Sequence, residues 1–438
     1  MGDQSAAATP GNPGDPPLPR RFAVNSRLPL PAELLSDRRP WYAIVSSRLS
    51  RNPLADRVAL ATLHHWNEQA IRTTSALPLV VAGTAAAPWV KRSCRLLGVE
   101  PVRLRLDGDN AQRGGDADDF ADAYPLRSLA PDFDRDSIAF LLADRIDVAT
   151  VRRNGTIHRL ARQRLADDPS PTVRVRVPVE PWGQSAAAAE VRVLVELIAA
   201  GAVGYCCHWE DEAAEHPESA DDRTDRHDGG VAVAKVARRL IECPEEWLVH
   251  CTRARSGPWP GQSEAQFRDW LLLSRPAPTD LTPLATLSRI VRQRQIVGTR
   301  QTVRSDRPVI CFSAKAVLEA TRTRVFRPHL GRWDGEPYGI AIRSAAAQRA
   351  GAMPVIYVDA ESMPDVAVDQ LWRVQAKGQT YDWTQENEWR IAGTLDLRRC
   401  DPDDVVVFVR SDAECRHFTD AAWPVVSIES LTRLAAET

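Results

Sequence analysis

Lysine is scarce in this chain. Only Lys91, Lys235, Lys315 and Lys377 are lysines among 56 basic residues, and the rest are arginine, the side chain that makes bidentate phosphate contacts most readily. CxxC pairs are absent. Six of the eight cysteines stand alone and Cys206-Cys207 are adjacent, which excludes a disulfide framework and a zinc finger and predicts reduced, mostly buried thiols in a cytoplasmic protein. No apolar run approaches the ~20 residues of a membrane span; the longest, Leu77 to Val90, contains Pro78 and Pro88. The opening MGDQSAAATPGNPGDPPLPRR has no apolar signal core, and Ala6 stands where a myristoylation pattern has Ser or Thr. An excess of one charge is also lacking. With 56 basic against 58 acidic residues the net charge is -2, so no global positive field gathers polyanions, and neither membrane nor nucleic acid is an expected partner. A G-x-S-x-G elbow is missing too, against a Ser/His/Asp hydrolase.

The composition, 44% hydrophobic and 26% charged over 438 residues, is that of a globular protein of two or three domains. Residues 1–20, rich in Pro, Gly and Ala, predict a disordered tail. From Tyr42 the pattern alternates. YAIVSSRL (Tyr42 to Leu49), LPLVVAG (Leu77 to Gly83), PVRLRL (Pro101 to Leu106) and Ile146 to Val151 read as buried parallel strands. Helices are predicted from Asn52-Pro53 to about Thr73 and over Pro88 to Leu97, Ser137 to Asp144, Ile157 to Leu165 and Gln184 to Ala200. Strand and helix in turn predict a doubly wound, Rossmann-like α/β domain over 21–209. The acidic stretch 210–230 reads as a linker. Over 231–438 strands (Trp247 to Arg253, Val309 to Ser313, Tyr338 to Ile342, Pro354 to Val358, Asp404 to Val409) mix irregularly with helices, which predicts an α+β domain.

In the first domain Ser46-Ser47-Arg48, Ala82-Gly83-Thr84 and Asn154-Gly155-Thr156 fall at strand ends or helix starts, on the carboxyl edge where open α/β sheets take ligands. The pattern resembles the nucleotide-sensing Rossmann-like group that includes the DNA-processing protein A fold and the lysine-decarboxylase-like proteins. Those carry G-S-R after the first strand and G-G-T in a later loop; here Ser46 and Asn154 each replace a glycine. The resemblance implies a nucleotide-like small molecule held by Ser47, Arg48, Gly83, Thr84, Gly155 and Thr156.

The second domain holds three pieces in order: LVHCTR with His250 and Thr252, VICFS with Phe312 and Ser313, and DWTQENEWR with Glu386 and Glu388. A carboxylate is what cleavage of an N-glycosidic bond needs, to hold a ribose hydroxyl and stabilise an oxocarbenium-like transition state. A second carboxylate two residues away shares its face if the chain is extended, and can handle the incoming nucleophile. An aromatic ring, Phe312 or Tyr338, suits stacking on nicotinamide. H-x-T, an aromatic/Ser strand and E-x-E in this order resemble the ADP-ribosyltransferase superfamily. The stretch from about 247 to 410 also resembles the abortive-phage-resistance family AbiGi, through His250-Cys251-Thr252, Cys311-Phe312, Tyr338-Gly339-Ile340, Pro354-Val355-Ile356-Tyr357 and Glu388-Trp389-Arg390. The resemblance implies NAD as substrate, Glu388 as the essential carboxylate, Glu386 at the acceptor, His250 as the ribose anchor, and Thr252, Phe312, Ser313 and Tyr338 around the dinucleotide. A defence effector against phage would join such a transferase to a sensor.

Other readings stand beside this one. Glu388 and Arg390 can pair as a structural knot in a non-catalytic nucleotide-binding or partner-binding protein. RVFRPHLGRW (Arg324 to Trp333) combines arginines with aromatics and can grip phosphates or RNA. Cys206-Cys207-His208 with His250-Cys251 is poorly spaced for zinc, and no metal is expected.

Overall fold

The computed structural model describes residues 19–24, 28–50, 52–106, 122–126, 134–168, 172–177, 187–206, 227–274, 281–300, 306–322, 324–327, 332–359, 361, 366–377 and 382–437. Of the expected tail, residues 1–18 lie outside them, and so do residues 210–226 of the expected linker, whose last four residues open a helix instead. The chain divides into two compact units, Met1–Glu210 with Arg268–Pro276, and Asp211–Phe267 with Ala277–Thr438.

Unit 1 is a seven-stranded sheet of β1 (Trp41–Ser46), β2 (Leu77–Val81), β3 (Val102–Leu106), β4 (Tyr124–Leu126), β5 (Arg145–Thr150), β6 (Val173–Arg176) and β7 (Val203–Tyr205). Its order is β4-β3-β2-β1-β5-β6-β7 and every pairing is parallel. The chain runs outward from β1 to one side, then returns to β5 on the other, so the winding reverses between β1 and β5. This is a doubly wound, Rossmann-like α/β unit. Its helices are α1 (Arg20–Val24), α2 (Ala32–Ser36), α3 (Arg57–Thr74), α4 (Ala87–Leu96), α5 (Arg135–Leu142), α6 (Thr156–Asp167) and α7 (Ala187–Ala199).

All six residues of β1 are buried, as expected of a central parallel strand covered on both faces. Trp41, Ala43 and Val45 join Ile138, Phe140 and Leu142 of α5 and Ile157 and Leu160 of α6 in one apolar layer. Before α3, Asn52 accepts the Leu54 N–H and Pro53 opens a 3-10 turn; Ser75 ends the helix in the left-handed region at φ 50. Strands β4, β6 and β7 are additions to the sequence reading. β6 is VRVR, whose Val173 and Val175 are buried while the arginines, on the other face, are half-buried. Within this sheet Asp147 is completely buried and is gripped by its register partner Arg174, Nε to Oδ1 at 2.6 Å and Nη2 to Oδ2 at 2.8 Å.

Unit 2 contains β8 (Trp247–Cys251), β9 (Gln295–Val297), β10 (Val309–Ser313), β11 (Val325–Arg327), β12 (Arg332–Asp334), β13 (Gly339–Arg343), β14 (Met353–Pro354), β15 (Ile356–Val358), β16 (Val374–Ala376), β17 (Glu388–Ala392), β18 (Thr394–Asp396), β19 (Val405–Val409) and β20 (Val425–Ser427). With them go α8 (His227–Glu242), α9 (Glu264–Leu273), of which the units share the length, α10 (Pro283–Gln293), α11 (Val317–Arg322), α12 (Ser344–Arg349) and α13 (Ile428–Glu437). Its main sheet runs β14-β17-β10-β8-β13-β19-β20, antiparallel except for β19 with β20. Three two-stranded ribbons, β11-β12, β15-β16 and β18-β9, accompany it. The sheet is mixed and buried on both faces. Leu248, Ile310, Phe312, Ile340 and Ile342 pack with Leu287 and Ile290 of α10. On the other side Trp247, Val249, Ala341, Val406 and Phe408 pack with Leu240 of α8, Val317 of α11 and Leu431 of α13. Gly339 is required at its place, since a Cβ there would stand 2.1 Å from the His250 carbonyl. Among the described residues, no helix is long and apolar enough to cross a membrane.

Candidate functional site

The three pieces read from the second half of the sequence lie on three consecutive strands of unit 2: His250 on β8, Phe312 and Ser313 on β10, Glu388 on β17. The register sets Glu388 opposite Ser313 and Ser313 opposite Val249, one row across the sheet. Side chains opposed in an antiparallel pair share a face, so Glu388, Ser313, Arg390 and Cys311 stand together. Residues as far apart in the chain as Ser313 and Glu388 are thereby brought side by side.

Glu388 is the open half of an ion pair. Arg390 donates from Nε to Oε1 at 2.8 Å and from Nη2 to Oε2 at 3.1 Å. The same guanidinium donates to the Trp372 and Val374 carbonyls and to Gln375 Oε1. The arginine side chain is 3% exposed and the glutamate 19%. The Glu388 N–H donates to the Tyr357 hydroxyl at 3.1 Å, so backbone and carboxylate are both pinned. Cys311 lies against this pair, and burial together with the Glu388 charge pushes its thiol up to about 12, which keeps it protonated and unreactive.

Two sequence expectations are corrected here. Glu386 does not share a strand face with Glu388: it closes a 3-10 turn, and Asn387, at φ 45 in the left-handed region, breaks the alternation between them. Phe312 is 2% exposed and belongs to the core, so it has no free face for a nicotinamide ring. Tyr338 is also buried, its hydroxyl donating to Glu414 at 2.9 Å. The Thr252 hydroxyl serves the backbone, shared between the Pro283 and Tyr338 carbonyls. Ser313 Oγ donates to the Glu386 carbonyl and accepts the Lys315 N–H, tying the turn ahead of β17 to β10.

His250 stands out of the Glu388 row, one residue further along β8, beside the Phe312 ring at 5.6 Å between centroids. Its Nδ1–H donates to the Cys311 carbonyl at 2.9 Å, which leaves Nε2 as an acceptor. Burial lowers its pKa to about 4, so the ring is neutral at physiological pH. His250 and Cys311 line a cavity of about 200 Å³ whose polar wall includes Arg253, Arg255, Arg289 and Gln293. Trp259 lines it too, with Arg255 and Arg289 over its ring at 4.5 and 4.6 Å. Arg253 is held by Asp334 at 3.0 Å, Arg255 donates to the Gly257 carbonyl and to Gln262, and Arg289 donates to Gln293. The sequence reading missed this arginine and tryptophan wall; the signal available was the run Arg253-Ala254-Arg255 directly after H-x-T. Glu388 is not among the residues lining this cavity.

Among the described residues, no cluster of three or more His, Cys, Asp or Glu side chains could hold a metal. No family model matches the chain, and no curated protein matches it. One solved structure does: DNA processing protein A from Helicobacter pylori, described for its single-stranded DNA binding mode, at a TM-score of 0.27 and 15% identity, covering 40% of this chain and 78% of that one. The expectation that nucleic acid is an unlikely partner is withdrawn, since the protein of that structure binds single-stranded DNA.

In unit 1 the sequence-implied residues are scattered along the carboxyl edge. Ser47 accepts the Arg152 N–H at 3.0 Å and donates its own N–H to the Thr150 carbonyl. Gly83, at φ +77, lies under the Arg135 side chain, where a Cβ would meet the guanidinium at 2.8 Å. Thr84 Oγ1 donates back to the Val81 carbonyl. Gly155 and Thr156 open α6. Of the six, Arg48 lines the cavity of about 380 Å³ on this edge.

Proposed function

We propose that unit 2 binds NAD and cleaves its nicotinamide–ribose bond, as an ADP-ribosyltransferase or NAD glycohydrolase. The observation that carries this reading is the Glu388 carboxylate, fixed by the buried Arg390, partly open and opposite Ser313 on the neighbouring strand. Glu388, held by Arg390 and partly open, accepts a hydrogen bond from the ribose 2′-hydroxyl and offsets the positive charge that grows as the C1′–N bond breaks and its electron pair leaves with nicotinamide. Water or an acceptor hydroxyl then bonds to C1′, and Glu386 takes the proton it releases. The arginine- and tryptophan-lined cavity beside His250 lies on the other face of the sheet and takes no part in this step. The resemblance to phage-resistance proteins makes bacterial defence the setting for such an effector.

A second reading rests on the same ion pair: in a non-catalytic protein Glu388 would only satisfy the buried Arg390. One experiment separates the two. NAD is added to the full-length protein and to Glu388→Gln, and thermal shift and nicotinamide release are followed. NAD stabilisation of both proteins, with turnover lost only in the variant, supports the enzyme. No NAD effect, no nicotinamide and a strongly destabilised variant would leave the pair as structure alone.

A further inference from the structure

Four arginines of unit 1 gather where the winding of its sheet reverses. The cavity between the carboxyl ends of β1 and β5 measures about 380 Å³ and is lined by Arg48, Arg152, Arg153 and Arg176, with Asp56 and an apolar wall that includes Val58. This volume lies in the range of small-molecule sites, at the position in an open α/β sheet where the two halves of the strand order separate.

Local structure explains why the side chains point there. The β1–β5 register shifts between Val45 and Ser46, so that Ser46 pairs with Thr150 and Ala149 is passed over. Arg176, at the end of β6, donates from Nε to the Ala149 carbonyl at 2.9 Å. Ser46 and Thr150 join through their hydroxyls at 2.7 Å, and Ser47 Oγ receives the Arg152 N–H. Arg152 Nη2 in turn donates to the Arg48 carbonyl at 2.7 Å. Two strand ends and two loops are thus stitched into one rim. Around it the charge is lopsided. Arg48 and Arg152 have no carboxylate within ion-pair distance among the described residues, and Arg153 meets Glu196 only at 3.9 Å. Asp56 is the one acidic residue in the lining, and its carboxylate accepts the Ser50 N–H.

We infer that this rim is a binding site for a small molecule carrying two or more adjacent phosphates. Four guanidiniums exceed what one phosphate can use, and their forked donors fit successive phosphate groups. The capture is by side chains. A backbone cradle of glycines, as the sequence resemblance implied, is not what the edge offers: Ser46 and Asn154 stand where those glycines would be, and Gly83, Thr84, Gly155 and Thr156 do not line the cavity.

The test is titration calorimetry of the full-length protein with inorganic triphosphate, pyrophosphate and orthophosphate at fixed ionic strength. Affinity is expected to rise from one phosphate to three. It should fall at least about tenfold in Arg48→Gln and again in Arg48→Gln/Arg152→Gln, since each loses a charge-assisted contact. Both side chains are exposed, so the unliganded melting temperature of these variants should match the parent's. Arg253→Gln/Arg289→Gln, which changes the unit 2 cavity, should leave triphosphate binding intact. The inference is overturned by no saturable binding, by equal affinity in parent and double variant, or by loss of binding only in the unit 2 variant. It is overturned as well if a single-stranded oligonucleotide outcompetes triphosphate with an affinity that grows with its length, because the rim would then be part of a polymer track.

Discussion

Each unit contains a carboxylate clasped by an arginine through two hydrogen bonds, and the two pairs are built in opposite senses. In unit 1 the acid is the hidden partner: Asp147 is 0% exposed and Arg174 18%. In unit 2 the base is hidden: Arg390 is 3% exposed and Glu388 19%. A carboxylate sealed behind its arginine can only contribute to stability. One held from behind by a buried arginine keeps a fixed orientation and an open side, which is the arrangement that chemistry at an acid requires. The direction of burial, more than the presence of an ion pair, separates the two roles.

The largest effect expected from breaking this comparison is on stability. Glu388→Leu orphans the buried Arg390 and should cost about 3–5 kcal/mol, read as a drop in denaturant midpoint at unchanged slope; Arg174→Leu should cost less, because Arg145 stays 3.2 Å from Asp147. A change well under 1 kcal/mol in both would remove the premise that the hidden member sets the cost. Next in size is catalysis. Glu388→Gln keeps an acceptor for Arg390 and should lower nicotinamide release on the order of 10²–10³-fold with little change in melting temperature. Asp147→Asn should leave that rate untouched.

A pH effect comes third. His250 titrates near 4 in the folded chain against 6.5 in the unfolded one, because burial penalises its charged form. Between those values the unfolded state takes up a proton that the folded state does not. Stability contributed by the neutral ring is therefore complete above pH 6.5 and is lost as pH falls toward 4, by up to roughly 3 kcal/mol. Urea titrations of the parent and of His250→Gln over this window should show a flatter slope in the variant; identical slopes would exclude the histidine as the source. The smallest effect belongs to the exposed pair Arg398–Asp396, 2.8 Å apart. Arg398→Ala should leave the melting temperature almost unchanged, and the small difference should vanish in high salt.

How much was legible follows from what each strand must bury. β1, β2, β8, β10, β13 and β19 are runs of mostly apolar residues, and such runs announce themselves. β6 alternates Val with Arg, and β17 begins Glu-Trp-Arg, so neither looks apolar along its length; both become strands because neighbours complete their ladders. The expectation that Glu386 and Glu388 share a face failed at one residue, Asn387, whose left-handed backbone is set by the turn that Ser313 ties down. Phe312 was read as available for stacking because a sequence does not state which side of a buried strand lies open.

From composition, periodicity and capping residues alone came the alternation of strands and helices that builds unit 1, the mixed texture of unit 2, and the three short pieces bearing His250, Ser313 and Glu388. Those properties are local: hydrophobic period and turn chemistry act within a few residues. Strand order and register were decided only in three dimensions. Order places β17 beside β10 and β10 beside β8, and register sets Glu388 opposite Ser313 while His250 meets Phe312. The same long-range pairing reverses the winding between β1 and β5 and gathers Arg48, Arg152, Arg153 and Arg176 on one rim. The physical reason is that backbone hydrogen bonds between strands are indifferent to sequence separation. Which partners meet is settled by how the whole set of apolar faces can be buried at once.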